Sequence, residues 1–273
     1  MRLRLSLNLC LAVLASAAMA QESPYFVTYD HHMEEPHHLE IAVQPVAGNR
    51  FVGTATEFEF APQAWWTTEL YLDAQSTSHE GSLYTGYRIE NRFRLLMDEH
   101  AVNPVIYIEY ADTNGADKTL REIVGFDSRF DLTTPNAEAR LEREREIETK
   151  LILSGNRNGW NTAGNLIAEK NLAGDPWEFG YAIAISRPLA LAASPYRCTF
   201  CRENFTAGVE AYGGIGEQHA LRLAGTSHYV APCLSWTMPS GLTLKVSPSL
   251  GLTANSNRFL MRFGVSYEIP LTR

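Results

Sequence analysis

The chain has 273 residues and is acidic, with 31 Asp and Glu against 23 Lys and Arg and a formal net charge of −8. No basic cluster interrupts that excess, which excludes a nucleic-acid-binding surface built on phosphate contacts. No later run approaches the roughly 18 consecutive apolar residues of a membrane helix, and a mean hydropathy of −0.18 fits a strand-based membrane protein, whose polar and apolar faces average out.

Residues 1–20 read as a signal peptide. Arg2 and Arg4 form a positive n-region, Leu5 to Leu14 an apolar stretch, and Ala15-Ser16-Ala17-Ala18-Met19-Ala20 a small-residue cleavage site before Gln21. Cys10 lies inside that leader and not at the cleavage point, which argues against a lipoprotein anchor. Residues 21–37 follow as an expected periplasmic N-terminal tail. His31, His32, His37 and His38 sit there beside Asp30, Glu34 and Glu35, and neutral imidazoles with carboxylate neighbours suit Zn, Cu or Ni. Their spacing matches no defined metal site, and a solvated tail is the competing reading.

From residue 38 onward the chain alternates with a period of two. Twelve strands are predicted, at 38–45, 50–60, 65–76, 82–95, 103–111, 141–154, 159–170, 176–187, 204–214, 226–236, 241–252 and 259–269. In the third, Leu70 and Leu72 oppose Glu69, Tyr71, Asp73 and Gln75. In the eighth, Trp177, Phe179, Tyr181, Ile183 and Ile185 oppose Glu178, Gly180, Ala182, Ala184 and Ser186. In the last, Phe259, Phe263, Val265 and Tyr267 oppose Arg262, Gly264, Ser266 and Glu268. One greasy and one polar face per strand, behind an export signal, predict a transmembrane antiparallel β-barrel over residues 38–273, with lipid outside and water inside. The even strand count places both barrel ends in the periplasm and the long connection near 111–140 outside the cell, long enough to fold inward. One connection breaks the parity rule, because 188–203 is long and falls on the periplasmic side. Trp65, Trp66, Trp160, Trp177 and Trp236 all fall at predicted strand ends, where indole suits the membrane–water boundary. Pro232 and Pro248 fall inside strands, where each removes a ladder hydrogen bond and calls for a bulge or a rim position. Residues 139–145 also fit a charged helical turn.

The inward face collects the candidate functional residues. Glu69, Asp73, Arg88, Glu90, Arg92, Glu146, Glu148, Lys150, Glu169, Glu178, Glu210, Lys245, Arg262 and Glu268 would line one lumen. Mixed charges there form either a selective aqueous pathway or a filled interior in which acids and bases pair across strands. Glu146 and Glu169 are expected to face each other across a hairpin. Cys198-Thr199-Phe200-Cys201 is a C-x-x-C pair, and in an exported chain a disulfide is its default state. Asp112 to Asp117 resembles a calcium-loop fragment, but Ile123 stands where the bidentate acid belongs, which favours an ordinary turn. Ser78-His79 and Ser227-His228 are neighbours in sequence, so in a strand their side chains point apart. No G-x-S-x-G and no phosphate loop occurs, and no catalytic residue or cofactor is expected.

Three stretches carry a family resemblance: Trp65-Trp66-Thr67-Thr68-Glu69-Leu70-Tyr71, Glu148-Thr149-Lys150-Leu151-Ile152-Leu153, and Asn165-Leu166-Ile167-Ala168-Glu169-Lys170 leading into the Trp177 strand. Through them the chain resembles uncharacterised bacterial outer-membrane β-barrel proteins, loosely similar to the "MetA-pathway of phenol degradation" type barrels. The resemblance implies location and fold, not substrate. Phe263 to Ile269 is similar to the C-terminal signal read by the barrel assembly machinery, although Pro270-Leu271-Thr272-Arg273 follows it. The expected protein is a non-enzymatic outer-membrane barrel, passing a small solute or serving a structural role, with outer-membrane lipid and the assembly machinery as partners. The alternatives are a membrane-embedded lipid hydrolase or acyltransferase and a secreted β-sandwich that binds carbohydrate.

Overall fold

The computed structural model describes residues 23–120, 123–196 and 198–271. The expected signal peptide lies outside the described residues. The strands are β1 (His38–Gly48), β2 (Phe51–Gln63), β3 (Trp66–Thr77), β4 (Gly81–Arg94), β5 (Asn103–Asn114), β6 (Arg143–Arg157), β7 (Trp160–Asn171), β8 (Glu178–Pro188), β9 (Phe205–Glu217), β10 (Ala220–Leu221), β11 (His228–Thr237), β12 (Leu242–Gly251) and β13 (Phe259–Pro270), with one helical turn, α1 (Asn136–Ala139). Each strand pairs antiparallel with its neighbour, β1 pairs with β13, and β8 pairs with β9. The two-residue β10 only extends the β9 hairpin. The result is a closed twelve-stranded transmembrane barrel with no free edge.

The predicted strands match the twelve that close the barrel, each end within three residues, while the two-residue β10 is not predicted. The ladders run past those ends because loop residues continue the pairing, as at Thr113 and Asn114 opposite Glu144 and Arg143. The 139–145 stretch divides: α1 takes its first residue, and strand pairing resumes at Arg143. Asn158 and Gly159, with φ of 53° and 78°, close β6 onto β7 between Arg157 and Trp160. Positive φ at both positions is what a two-residue hairpin turn of type I′ needs.

The two strand prolines need neither a bulge nor a rim position. The β11–β12 register skips from Val230↔Leu250 to Leu234↔Val246 without a shift, which sets Pro232 opposite Pro248. Each residue lacks an N–H, so one interruption absorbs both missing donors.

The outer surface is apolar. Leu70, Leu72, Ile89, Ile108, Leu151, Ile183, Val209, Leu234, Phe263 and Val265 all face outward and are exposed. Trp65 and Trp160 are exposed near the end at which β1 begins and β13 finishes, called the lower end below. Trp66 and Trp236 lie at the same end and Trp177 at the other, so the indoles mark both rims. Ile183 stands midway along β8 and is 54% exposed. Ile183→Arg is expected to cost about 2–4 kcal/mol, the depth-dependent penalty of a cation at mid-bilayer. Urea unfolding in phospholipid vesicles checks this, and an unchanged midpoint would put Ile183 outside the hydrocarbon.

Candidate functional site: a lumen filled from both ends

The N-terminal segment, expected to be a solvated tail, lies inside the barrel. Tyr25, Phe26, Val27, Thr28, Asp30 and His31 are all buried. The reason is a match between an extended backbone, which needs hydrogen-bond partners away from water, and a wall lined with polar side chains. Glu210 receives three successive backbone N–H groups: Oε1 accepts from Phe26 at 3.1 Å, and Oε2 from Val27 and Thr28 at 3.1 and 3.0 Å. Asn165 mimics a strand for Tyr29, accepting its N–H at 2.7 Å and donating to its carbonyl at 2.8 Å. The Tyr25 hydroxyl donates to Ser186 at 2.8 Å, and the Tyr29 hydroxyl to Glu90 at 3.0 Å. Lys150 Nζ lies 4.4 Å from the Tyr29 ring centre and 4.0 Å from that of Tyr107, a cation held between two aromatic faces.

The histidines divide between two places. The His31 ring stacks on His32 at 4.5 Å and reaches Ser154 at 2.5 Å and Glu99 at 2.9 Å. Burial holds the His31 pKa below its ordinary value. The Asp30 carboxylate beside His32 pushes the His32 pKa up. Burial acts to raise the Asp30 carboxyl, but the charge and hydrogen bonds of His32 outweigh it and leave it lowered. The Asp30–His32 pair is therefore ionic between those two values. Its contribution is lost as pH rises through the raised His32 value or falls through the lowered Asp30 value. His38 instead contacts Glu268, with Glu35 at 3.7 Å and Glu34 at 4.0 Å. His37 has a φ of 66° and marks the turn into β1. Two histidines thus belong to the lumen segment and two to the start of β1.

From the upper end, residues 116–120 and 123–126 of the long connection turn inward, as its length suggests. Lys118, Thr119 and Ile123 are buried, and Arg262 donates to the Leu120 carbonyl at 2.7 Å. Phe130 packs edge-on against Phe51 at 4.9 Å. The wall makes room with glycine. A Cβ on Gly53 would lie 2.0 Å from the Lys118 carbonyl oxygen, and one on Gly214 would lie 2.1 Å from that of Gly125. The Asp112–Asp117 stretch is a turn: Asn114 Oδ1 accepts the Ala116 N–H at 3.1 Å, and Asp112 holds Arg143 at 2.7 Å.

Between segment and loop, the wall charges form ladders. Arg88 grips Asp73 through two hydrogen bonds of 2.7 and 3.0 Å and reaches Glu109 at 3.4 Å. Arg92 meets Glu59 at 2.5 Å, Glu69 at 2.6 Å and Glu90 at 3.3 Å. Lys150 pairs with Glu148 at 3.0 Å. Lys245 faces the Phe26 ring at 6.0 Å. The hairpin carboxylates differ from expectation by one inward position: Glu148 stands opposite Glu169, while Glu146 stands opposite Asn171. Glu178, at the start of β8, abuts Gly125 of the inward loop. Sequence reasoning missed Glu40, Glu57, Glu59 and Glu109 as lumen residues, although each alternates with apolar neighbours in the same way.

Among the described residues, two larger chambers lie along the lumen. The lower, of about 140 Å³, lies between the N-terminal segment and the wall around β1–β3, and its lining includes Glu40, Glu57, Glu59, Glu69 and Arg92. The upper, of about 200 Å³, lies under the inward loop and includes Arg88, Glu109, Glu146, Glu148 and Glu169.

Neither Ser–His pair forms a dyad. Ser227 Oγ donates to the Asn255 carbonyl at 2.6 Å, while the His228 ring meets Tyr181 at 3.2 Å and Thr226 at 2.9 Å. No bond joins Ser78 to His79 among the described residues, though both line an outer-rim cavity. Cys198 and Cys201 are disulfide-bonded in the long lower connection, where Phe200 stacks on Trp236 at 4.7 Å. Cys233 is free and buried.

No protein-family model matches the chain, and no curated protein matches it. Solved structures share its fold. The chain is similar to the KdgM porin in complex with disordered oligogalacturonate, at 8% identity and a TM-score of 0.50, covering 84% of this chain and 98% of that one. It is also similar to the NanC porin, at 12% identity and a TM-score of 0.51, covering 85% of this chain and 100% of that one. At such identities the likeness is one of architecture.

Proposed function

We propose that this protein is an outer-membrane channel for small polar solutes, closed in the conformation described here. One observation carries the reading: the lumen wall is rich in buried charged and polar side chains, and a segment held to them by hydrogen bonds occupies it. A purely structural barrel would pack its interior with wall side chains. Here the wall leaves space, and the segment that precedes β1 occupies it. The porin-like architecture supports the same reading. The two chambers are lined largely by charged and polar side chains, as a path for polar solutes would be. The outer membrane is the location that fits the apolar belt, the tryptophans at both rims and the expected signal peptide. The phenol-degradation resemblance contributes no substrate to this reading.

The test is conductance. The purified full chain, inserted in planar lipid bilayers, is expected to show discrete current steps that lengthen when Glu210→Gln weakens the segment's attachment. Absence of steps from both proteins would overturn the channel reading and leave a filled structural barrel.

A further inference from the structure

The described residues contain eleven buried carboxylates and only five buried lysines and arginines. Buried like charges are costly unless they are paired, protonated or neutralised by a bound cation. The excess is large in the lower chamber, whose lining has eight carboxylates against two fixed cations, Arg92 and Lys245, besides His32. At its wall, Glu57, Glu59 and Glu69 are all buried, and one oxygen from each lies within 4.8 Å of the others. That spacing lets three carboxylates converge on one cation, as hard oxygen ligands do.

A second feature is independent of the acids. Thr28, in the N-terminal segment, lines the same chamber and is 5% exposed, and its hydroxyl has no hydrogen-bond partner in the structure. A buried hydroxyl without a partner is costly, and its oxygen can supply a neutral ligand to a cation held by the wall carboxylates. We propose that the lower chamber is a cation site, taking a divalent metal ion or a small protonated diamine, with Glu57, Glu59 and Glu69 as charged ligands and Thr28 as a neutral one. The channel's passengers would then be small cations, a consequence that rests on the channel reading. The binding site itself does not.

Calorimetry on the detergent-solubilised full chain tests the site, with calcium chloride and putrescine as separate probes. Saturable heat is expected from at least one, and which of the two binds distinguishes metal from amine. Glu57→Gln/Glu59→Gln should weaken that binding by about tenfold or more, because affinity follows ligand charge count. Thr28→Val, which leaves every charge in place, should weaken it several-fold and covers the case in which the double variant does not fold. No heat from either probe, or binding unchanged in the variants, overturns the site. Where the barrel conducts, a KCl gradient should give a reversal potential of cation sign, and an anion sign overturns cation passage. Binding without conductance would remove the channel reading and leave the site standing.

Discussion

Removing residues 24–33 is expected to raise the time-averaged single-channel current several-fold while leaving the barrel folded. The segment contributes nothing to the ladders that close the barrel, since β1 begins only at His38 and pairs with β2 and β13 independently of it. Its attachments are concentrated at a few wall side chains, chiefly Glu210 and Asn165. The three bonds to Glu210 are charge-assisted, and one such bond is worth about 1.5–3 kcal/mol. Since about 1.4 kcal/mol changes an equilibrium tenfold, losing the equivalent of one bond in Glu210→Gln multiplies the undocked population by roughly ten. The point variant should therefore show the wild-type open level more often, whereas the deletion should be open throughout. Bilayer recordings separate the two, and heat-modifiable migration confirms that both barrels fold. A deletion that conducts no better than the full chain would mean that the inward loop alone closes the lumen.

The barrel was legible in the sequence because a strand with lipid on one side and water on the other must alternate. A shift of one residue would put Glu69, Asp73 and Arg92 into hydrocarbon, so the register could be read strand by strand. The buried wall charges Glu69, Asp73, Arg88, Glu90, Arg92, Glu148, Lys150, Glu210 and Arg262 follow the same alternation. What could not be read was which of them meet. Residues 23–33 carry no periodicity that distinguishes an inserted segment from a solvated tail, and their partners Glu210, Asn165 and Ser154 lie more than 120 positions away. The glycines under the inward loop had the same ambiguity. Gly53 and Gly214 look like ordinary small lumen residues until the loop backbone is seen against them. The opposed prolines were unreadable for a related reason, because their tolerance depends on both occupying one rung.

Arg92→Met should be the most destabilising single change in the wall. The side chain is 9% exposed and stands within 3.3 Å of carboxylate oxygens from Glu59, Glu69 and Glu90. It also donates to the His32 carbonyl at 3.4 Å, so it joins the wall to the inserted segment. Methionine keeps most of the volume and removes only the charge and the donors, which isolates the electrostatic part. Breaking a buried ionic cluster from one side costs about 3–5 kcal/mol, because the partners left behind are uncompensated. Replacing the cluster from both sides costs less, so Arg92→Met/Glu59→Gln/Glu69→Gln should recover a substantial part of the loss. Such recovery is the non-additivity of residues sharing one network. Urea titration of folding in phospholipid vesicles measures all three states. If the triple variant were less stable than Arg92→Met, charge pairing would not be what Arg92 supplies, and its packing against the Tyr29 ring, 5.4 Å from the guanidinium carbon, would be the dominant contribution.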